Sequence, residues 1–167
     1  MNEQILPFAS HSSIGLLLVD SEDPFMLAVY LSVRMEEVAA WGWDEAAAHS
    51  FLRMQYDMQQ RSYRTYYAES ELYAITLDGV QAGKLHVSEA SDGLTLVDIA
   101  LLPEFRGRGI GRQLLTDLQY RAKEAGKPLR LTVSKGNPAA RLYERCGFRI
   151  VQADEMNARM EWNSSLD

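Results

Sequence analysis

The stretch that decides the fold runs from residue 94 to residue 126 and reads LTLVDIALLPEFRGRGIGRQLLTDLQYRAKEAG. Its first nine residues, 94–102, are mostly apolar with Asp98 as the only charge, a composition typical of a strand covered on both faces. Pro103 comes next and ends the strand, because proline has no N–H to donate to a neighbouring strand. The sequence therefore predicts a buried strand followed by a turn.

The second half of the stretch is typical of an amphipathic helix. Its apolar side chains recur at intervals of four residues and therefore share one face. They are Ile110, Leu114, Leu118 and Ala122, with Leu115 beside them. Gly126 and then Pro128 end the helix, since glycine favours the left-handed turn after a helix and proline cannot continue one.

A glycine-rich loop, residues 106–112 (RGRGIGR), joins the strand to the helix. Glycine lets a ligand approach the main chain closely and tolerates a positive φ. The first N–H groups of the helix have no intrahelical partner and, together with the helix dipole, favour an anion. Arg106, Arg108 and Arg112 add positive charge. The loop is therefore interpreted as a phosphate-holding loop.

Two familiar phosphate motifs do not fit this loop. A dinucleotide fingerprint that begins at Gly107 and Gly109 needs a third glycine at position 112, which is Arg112. A Walker loop needs Gly-Lys-Ser/Thr, and this sequence is absent from the chain. Both interpretations are therefore disfavoured.

The pattern Arg-x-x-Gly-x-Gly from Arg106 to Gly111, preceded by IALLP at residues 99–103, resembles the acetyl-coenzyme A (acetyl-CoA) loop of the Gcn5-related N-acetyltransferases (GNAT). A second segment, NPAARLYERCGF at residues 137–148, is similar to another segment of that family. There an asparagine contacts the cofactor and a tyrosine lies close to the thioester sulfur. The resemblance is most specific from residue 97 to residue 147.

The resemblance implies an acetyl-CoA-dependent N-acetyltransferase that transfers the acetyl group directly, in a ternary complex, to a primary amine. The amine could belong to a small molecule, a peptide N-terminus or a lysine. The main chain of residues 99–101 would pair with the pantetheine arm, and the loop would hold the pyrophosphate. The residues implied to bind the cofactor are Ile99, Ala100, Leu101, Arg106, Gly107, Arg108, Gly109, Ile110, Gly111, Arg112, Asn137 and Tyr143.

Acetyl transfer also requires an acid for the departing thiolate and a base for the amine. Tyr143 is the predicted acid, because a phenol keeps its proton at pH 7 and can donate it to a thiolate. Asp98 is the predicted base if burial raises its pKa, although a structural hydrogen bond is an equally open role. In the branch that acetylates ribosomal-protein N-termini, a glutamate stands at the position of Thr132, which cannot take up a proton. Glu36, Glu37 or water remain alternative bases.

The acceptor is expected near the two N-terminal helices, as the family resemblance implies. Glu36, Glu37 and Trp41 are the predicted acceptor-binding residues, since carboxylates and aromatic faces suit a cationic amine. The aromatic residues of this region, which include Trp43, could instead simply pack the helices together.

Composition limits the remaining possibilities. The 167 residues carry a net charge of −6, yet residues 98–152 hold 11 basic and 5 acidic side chains, which favours an anionic cofactor there. The overall acidity disfavours nucleic acid, and no apolar run reaches membrane length. A lone cysteine, Cys146, and scattered histidines indicate no disulfide and no metal site. We expect a single cytoplasmic domain over residues 1–167, monomeric or homodimeric, with a non-catalytic binding module as the alternative.

The other elements follow from shorter signals. The first strand is predicted at residues 14–19, then a helix from about Pro24 to Ser32 or a little beyond. A connection or broken helix at residues 36–43 follows, and then a long helix capped by Asp44. The predicted buried face of that long helix consists of Ala47, Phe51, Met54 and Met58. Further strands are predicted at residues 71–77, 80–89, 129–133, 148–151 and 157–162, with a short helix capped by Asn137. This order indicates an α/β fold with a mixed, mainly antiparallel sheet and a central strand-helix-strand crossover, as in the GNAT fold.

Overall fold

The computed structural model of the chain describes residues 3–5 and 13–166, and these form eight strands and four α-helices. The strands are β1 (Glu3–Ile5), β2 (Ile14–Val19), β3 (Ser70–Leu77), β4 (Val80–Ala90), β5 (Gly93–Leu101), β6 (Leu129–Ser134), β7 (Arg149–Ala153) and β8 (Asn157–Trp162). The helices are α1 (Pro24–Val38), α2 (Glu45–Tyr66), α3 (Ile110–Ala125) and α4 (Ala139–Arg145).

The strands belong to one sheet with the order β1-β2-β3-β4-β5-β6-β8-β7. Four neighbouring pairs are antiparallel: β1 with β2, β2 with β3, β6 with β8, and β7 with β8. β5 and β6 are parallel, and α3 connects them. The predicted mixed, mainly antiparallel sheet with a central crossover is confirmed.

The chain divides into two compact units. The first consists of Met1–His86 and Asp98–Arg108, and the second of Val87–Val97 and Gly109–Asp167. In the first unit, the core between α1 and α2 is formed by Tyr30, Val38, Ala48, Leu52 and Tyr56. In the second, the buried residues include the apolar face of α3 and Leu129 and Leu131 of β6. The organisation as a single domain stays a prediction.

The helix of the deciding stretch forms as its sequence predicts. The buried side chains of α3 are Ile110, Leu114, Leu115, Leu118 and Ala122. Gly126 adopts φ 66°, and its N–H donates to the carbonyls of Ala122 and Lys123. The strand before it ends at Leu101, and Pro103–Phe105 form a 3₁₀ turn. Leu94 and Leu96 are buried, but residues 98–101 are only half-buried, so the strand is not fully covered along its length.

Two sequence predictions about the N-terminal half are wrong. β1 precedes the strand that was expected to be first. The buried face of α2 consists of Ala48, Leu52 and Tyr56, while Met54 and Met58 are exposed. Phe51 is partly buried against the same core, so the buried face lies about one residue further along the helix than predicted, and the ring of Tyr56 takes the place expected for the methionines. By contrast, α1 continues to Val38 and Ala39–Trp41 form a 3₁₀ turn, which agrees with the broken-helix alternative for this region.

Asp44 caps α2 as predicted, because its Oδ1 accepts a hydrogen bond of 2.8 Å from the N–H of Ala47. The short helix α4 begins at Ala139, and Asn137 Oδ1 accepts a hydrogen bond of 2.9 Å from that residue's N–H. Among the described residues no helix is both long and apolar enough to cross a membrane.

Candidate active site

The start of α3 has the geometry of an anion site. Gly109 precedes the helix with φ 82°, and no side chain among the described residues caps it. The first hydrogen bond of the helix runs from Gln113 N–H to the Gly109 carbonyl at 3.1 Å. The N–H groups of residues 110–112 come before that bond, so they have no carbonyl partner within the helix. Together with the helix dipole they can hold the oxygens of a phosphate.

The glycines leave room for such a ligand. A Cβ atom built on Gly107 or Gly109 would meet no atom within 4 Å, so the space beside both residues is open. At Gly111 a Cβ atom would touch only Leu142, at 3.5 Å. Gly107 and Gly109 have φ values of 75° and 82°, which L side chains rarely adopt. A glycine-lined helix start with open space fits the pyrophosphate of a coenzyme A molecule.

Two of the three loop arginines are already engaged by the protein. Arg106 donates from Nε to the Leu101 carbonyl at 3.2 Å and from Nη1 to Glu36 Oε2 at 3.3 Å. The guanidinium of Arg108 lies over the ring of Phe105, 5.5 Å from its centroid. Arg106 therefore ties the end of β5 to α1, which is a structural role in addition to the positive charge predicted for it.

The predicted acceptor-binding residues have partners of their own in the first unit. Glu36 pairs with Arg106, and Glu37 lies 3.4 Å from Arg34. Trp41 packs edge to face on Trp43, with ring centroids 5.6 Å apart, and is 53% exposed. Their role in acceptor binding stays a prediction.

Asp98, the predicted base, lies in an ion pair. Its Oδ2 is 2.9 Å from the Nζ of Lys84, whose side chain is only 6% exposed. The ammonium of Lys84 also lies 5.5 Å from the centroid of the Tyr30 ring. The burial of this lysine means that the carboxylate compensates a charge that solvent barely reaches. Its role as base stays a prediction, and the structure adds a structural role beside it.

Tyr143, the predicted acid, is buried in the second unit on α4. Its ring packs edge to face on Phe148, with centroids 5.9 Å apart. This packing fixes the position of the ring. The side-chain oxygen of Asn137 is occupied by the Ala139 N–H at 2.9 Å, so the amide NH₂ is the part of that side chain left to donate to a ligand.

Burial raises the pKa of the Cys146 thiol. The thiolate is therefore scarcer at neutral pH than for an exposed cysteine, which disfavours Cys146 as a nucleophile. Within residues 3–5 and 13–166 no group of three or more His, Cys, Asp or Glu side chains could hold a metal ion.

The sequence did not reveal two features of β4. The first is Gly83, where a Cβ atom would collide with the carbonyl oxygen of Ala100, so the strand requires glycine at this close approach to β5. The second is the burial of Lys84 and His86, which alternate with the apolar Leu85 and Val87. Such alternation predicts that the polar side chains face solvent, but here α1 and α2 supply Tyr30 and Tyr63, which pack against them. An isolated glycine inside a strand pattern is the signal that could have revealed the first feature.

The comparison with known families identifies the chain. It belongs to the acetyltransferase (GNAT) domain family, whose model matches residues 62–150.

Relatives agree with this assignment. Over 61 residues the chain is 44% identical to the [ribosomal protein bS18]-alanine N-acetyltransferase of Haemophilus influenzae. That match covers 36% of this chain and 42% of the relative, so the chain spans less than half the length of this curated relative. The fold resembles that of PaiA N-acetyltransferase from Thermoplasma acidophilum, solved with coenzyme A, with a TM-score of 0.66, 21% identity and coverage of 90% and 99% of the two chains. PseH from Campylobacter jejuni, solved with acetyl-CoA, gives a TM-score of 0.58 at 15% identity and coverage of 90% and 99%.

Proposed function

We propose that this protein is an acetyl-CoA-dependent N-acetyltransferase that transfers an acetyl group to a primary amine directly, in a ternary complex. The observation that carries the proposal is the uncapped start of α3 behind a left-handed glycine, in a chain that belongs to the acetyltransferase family. The acceptor is a small-molecule amine, a peptide N-terminus or a lysine. The name of the H. influenzae relative makes an alanine amine one acceptor to test.

The main chain and a few side chains would hold the cofactor. The N–H groups of residues 110–112 would bind the pyrophosphate, and Arg112 adds charge at the first turn of α3. By the family resemblance, the main chain of residues 99–101 would pair with the pantetheine arm, and the amide NH₂ of Asn137 would donate to the cofactor. Bound acetyl-CoA would supply an acetyl thioester, which is an activated acyl group.

The reaction then requires two proton transfers, one to the departing sulfur and one from the amine. Tyr143 donates its phenolic proton to the sulfur as the carbon–sulfur bond breaks, which avoids the release of a free thiolate. The amine loses a proton so that its nitrogen lone pair can attack the carbonyl carbon. Asp98 lies in β5, next to the residues proposed for the pantetheine arm, and is the nearest carboxylate along the chain. The role of Tyr143 is supported by the resemblance and by its burial on α4, and that of Asp98 by its place in β5.

Two measurements test the proposal. Isothermal titration calorimetry checks whether the protein binds acetyl-CoA, and a thiol-detection assay over a panel of small amines, alanine peptides and lysine peptides checks turnover. Binding followed by thiol release with at least one amine is the expected outcome. No binding of acetyl-CoA at millimolar concentration would reject the function. Tight binding without thiol release across the panel would favour a non-catalytic module on the same fold.

The cytoplasmic location and the monomeric or homodimeric state remain predictions of the sequence. Size-exclusion chromatography with light scattering would settle the second of these.

A further inference from the structure

A cavity of about 570 Å³ in the first unit is lined by residues that have no role in the function proposed so far. It lies among the end of β2, the C-terminal half of α2, the start of β3 and the middle of β4. The side chains that matter for its chemistry are Tyr63, Tyr67, Ser70 and His86, and Asp20 and Arg64 also line it. The cavity therefore combines phenol rings and serine hydroxyls with one imidazole.

The imidazole and the hydroxyl are directly joined. Ser70 Oγ lies 2.6 Å from His86 Nε2, and the histidine is only 7% exposed. Two rings hold the imidazole in place. The centroid of Tyr63 lies 5.1 Å from it and that of Tyr67 lies 6.4 Å from it, both edge to face. A histidine held in this way presents its nitrogens in a fixed orientation, and Ser70 connects one of them to the cavity.

The groups around His86 keep the ring neutral. Burial lowers the pKa of His86, Lys84 lowers it further, and Asp98 opposes them. Burial, reinforced by the charge of Asp98, raises the pKa of Tyr63, so this phenol stays neutral as well. A neutral imidazole can accept a proton at pH 7, whereas an imidazolium cannot.

Asp98 influences both His86 and Tyr63, so the predicted base and this cluster share one electrostatic environment. Asp98 itself is committed to Lys84 at 2.9 Å. His86 has no such ionic partner among the described residues, and its hydrogen bond leads to a neutral hydroxyl. Of the two groups, the imidazole is therefore the one that can take up a proton without breaking a buried ion pair.

We propose that His86 and Ser70, in place of Asp98, form a proton-transfer pair that takes up the proton lost by the acceptor amine and releases it into the cavity. This inference rests on the proposed N-acetyltransferase function. In the step, Nδ1 receives the proton, Nε2 passes its own proton to Ser70 Oγ, and the hydroxyl proton of Ser70 passes to water. The imidazole ends neutral in the other tautomer, the serine hydroxyl keeps one proton, and the proton from the amine is balanced by the one released to water. The tautomer with hydrogen on Nε2 is the one that this direction requires.

The pH dependence of kcat distinguishes this role from simple packing. The wild-type protein should lose activity at acidic pH as His86 becomes protonated. His86→Gln should lower kcat about 100-fold and abolish that acid limb, because glutamine does not titrate. Ser70→Ala should lower kcat about 5-fold, the worth of one neutral hydrogen bond, and Ser70→Thr should restore it. His49→Gln, a change at an exposed histidine of α2, is the control and should leave the profile as in the wild type.

A second readout does not depend on activity. In the protein without cofactor, NMR titration of the imidazole Cε1–H signals should show one histidine that titrates below 6.5, identified by its loss in His86→Gln. Ser70→Ala should shift that signal and its titration. If His86→Gln fails to fold, Ser70→Ala and Ser70→Thr carry the kinetic test.

Several results would overturn the inference. They are an unchanged acid limb in His86→Gln, an unchanged kcat in Ser70→Ala, and a His86 that titrates at or above 6.5. A failure of the proposed function would look different, because the wild-type protein itself would then neither bind acetyl-CoA nor release thiol with any amine.

Discussion

The ammonium of Lys84 lies 2.9 Å from a carboxylate oxygen of Asp98, and it lies over the ring of Tyr30. The lysine side chain is 6% exposed and the aspartate 27% exposed, so water screens the pair weakly. The two residues join β4 to β5 immediately before residues 99–101, which are proposed to pair with the pantetheine arm. The ion pair therefore links the two neighbouring strands next to the residues that matter most to the proposed chemistry.

Removal of one partner of this pair should destabilise the protein. Lys84→Met leaves the Asp98 carboxylate half-buried without its counter-ion, and we expect a loss of about 3 kcal/mol in the free energy of unfolding. Chemical denaturation monitored by circular dichroism measures it. The matched control is Arg53→Met, which breaks the exposed pair with Asp57 and should cost less than about 1 kcal/mol. Equal losses in the two variants would show that the Lys84 pair has no special weight.

The stability of the protein should depend on His86 at mildly acidic pH. Burial lowers the pKa of His86 in the folded state, whereas in the unfolded chain it is about 6.5. Below pH 6.5 the unfolded state therefore binds more protons than the folded state. As the pH is lowered, the free energy of unfolding decreases until the pH has passed below the pKa of His86 in the folded state. Well above pH 6.5 the imidazole is neutral in both states, so His86 no longer makes the free energy of unfolding depend on pH.

Urea denaturation at a series of pH values around 6 measures this effect. His86→Gln should flatten the fall in stability. His49→Gln should leave it in place, because that side chain is exposed on α2. A wild-type protein whose stability is flat between pH 7 and pH 5 would contradict the assignment of a buried, neutral His86.

Tyr143 should act on turnover and hardly on cofactor binding. Tyr143→Phe removes only the hydroxyl, and the ring keeps its packing on Phe148. If the phenol protonates the leaving sulfur, kcat should fall by about 100-fold while the Kd for acetyl-CoA stays within a factor of about two. Tyr66→Phe, a change at a tyrosine that is 76% exposed, is the control. An unchanged kcat in Tyr143→Phe would remove this residue from the acid role.

Much of the fold could be predicted because the decisive signals are local. The four-residue spacing from Ile110 to Ala122 reports the face of α3 directly, and Gly126 marks its end. The glycines of the loop likewise indicated a backbone that tolerates positive φ, which Gly107 and Gly109 adopt. Such features depend on backbone conformation and periodicity, which can be inferred from the residue types and their spacing.

What the sequence concealed depends on tertiary contacts. Lys84 and His86 look like the solvent-facing half of an alternating strand, but helices α1 and α2 cover them. The buried face of α2 was predicted wrongly because the methionine side chain is more apolar than that of tyrosine. In the structure, however, Tyr56 is buried and Met58 is exposed. Likewise, nothing local shows that Glu36 reaches Arg106, 70 residues away along the chain. These pairings arise only when distant segments pack together.

Two glycines provide a matched test of the phosphate site. Gly109 and Gly126 lie at opposite ends of α3, both with positive φ and both with open space where a Cβ atom would be. Alanine at either position should cost about 1 kcal/mol of stability, since L residues disfavour this conformation. Only Gly109→Ala should also weaken acetyl-CoA binding, by at least tenfold in titration calorimetry. Equal losses of affinity in both variants would indicate a general effect of helix stability instead.

In the proposed function, the main-chain N–H groups at the start of α3 bind the diphosphate of the cofactor. A crystal structure with coenzyme A tests it most directly. We expect pyrophosphate oxygens within about 3 Å of the main-chain nitrogens of residues 110–112, as for a hydrogen bond. A coenzyme whose diphosphate lies elsewhere, with those nitrogens bonded only to water or covered by a side chain, would contradict the account.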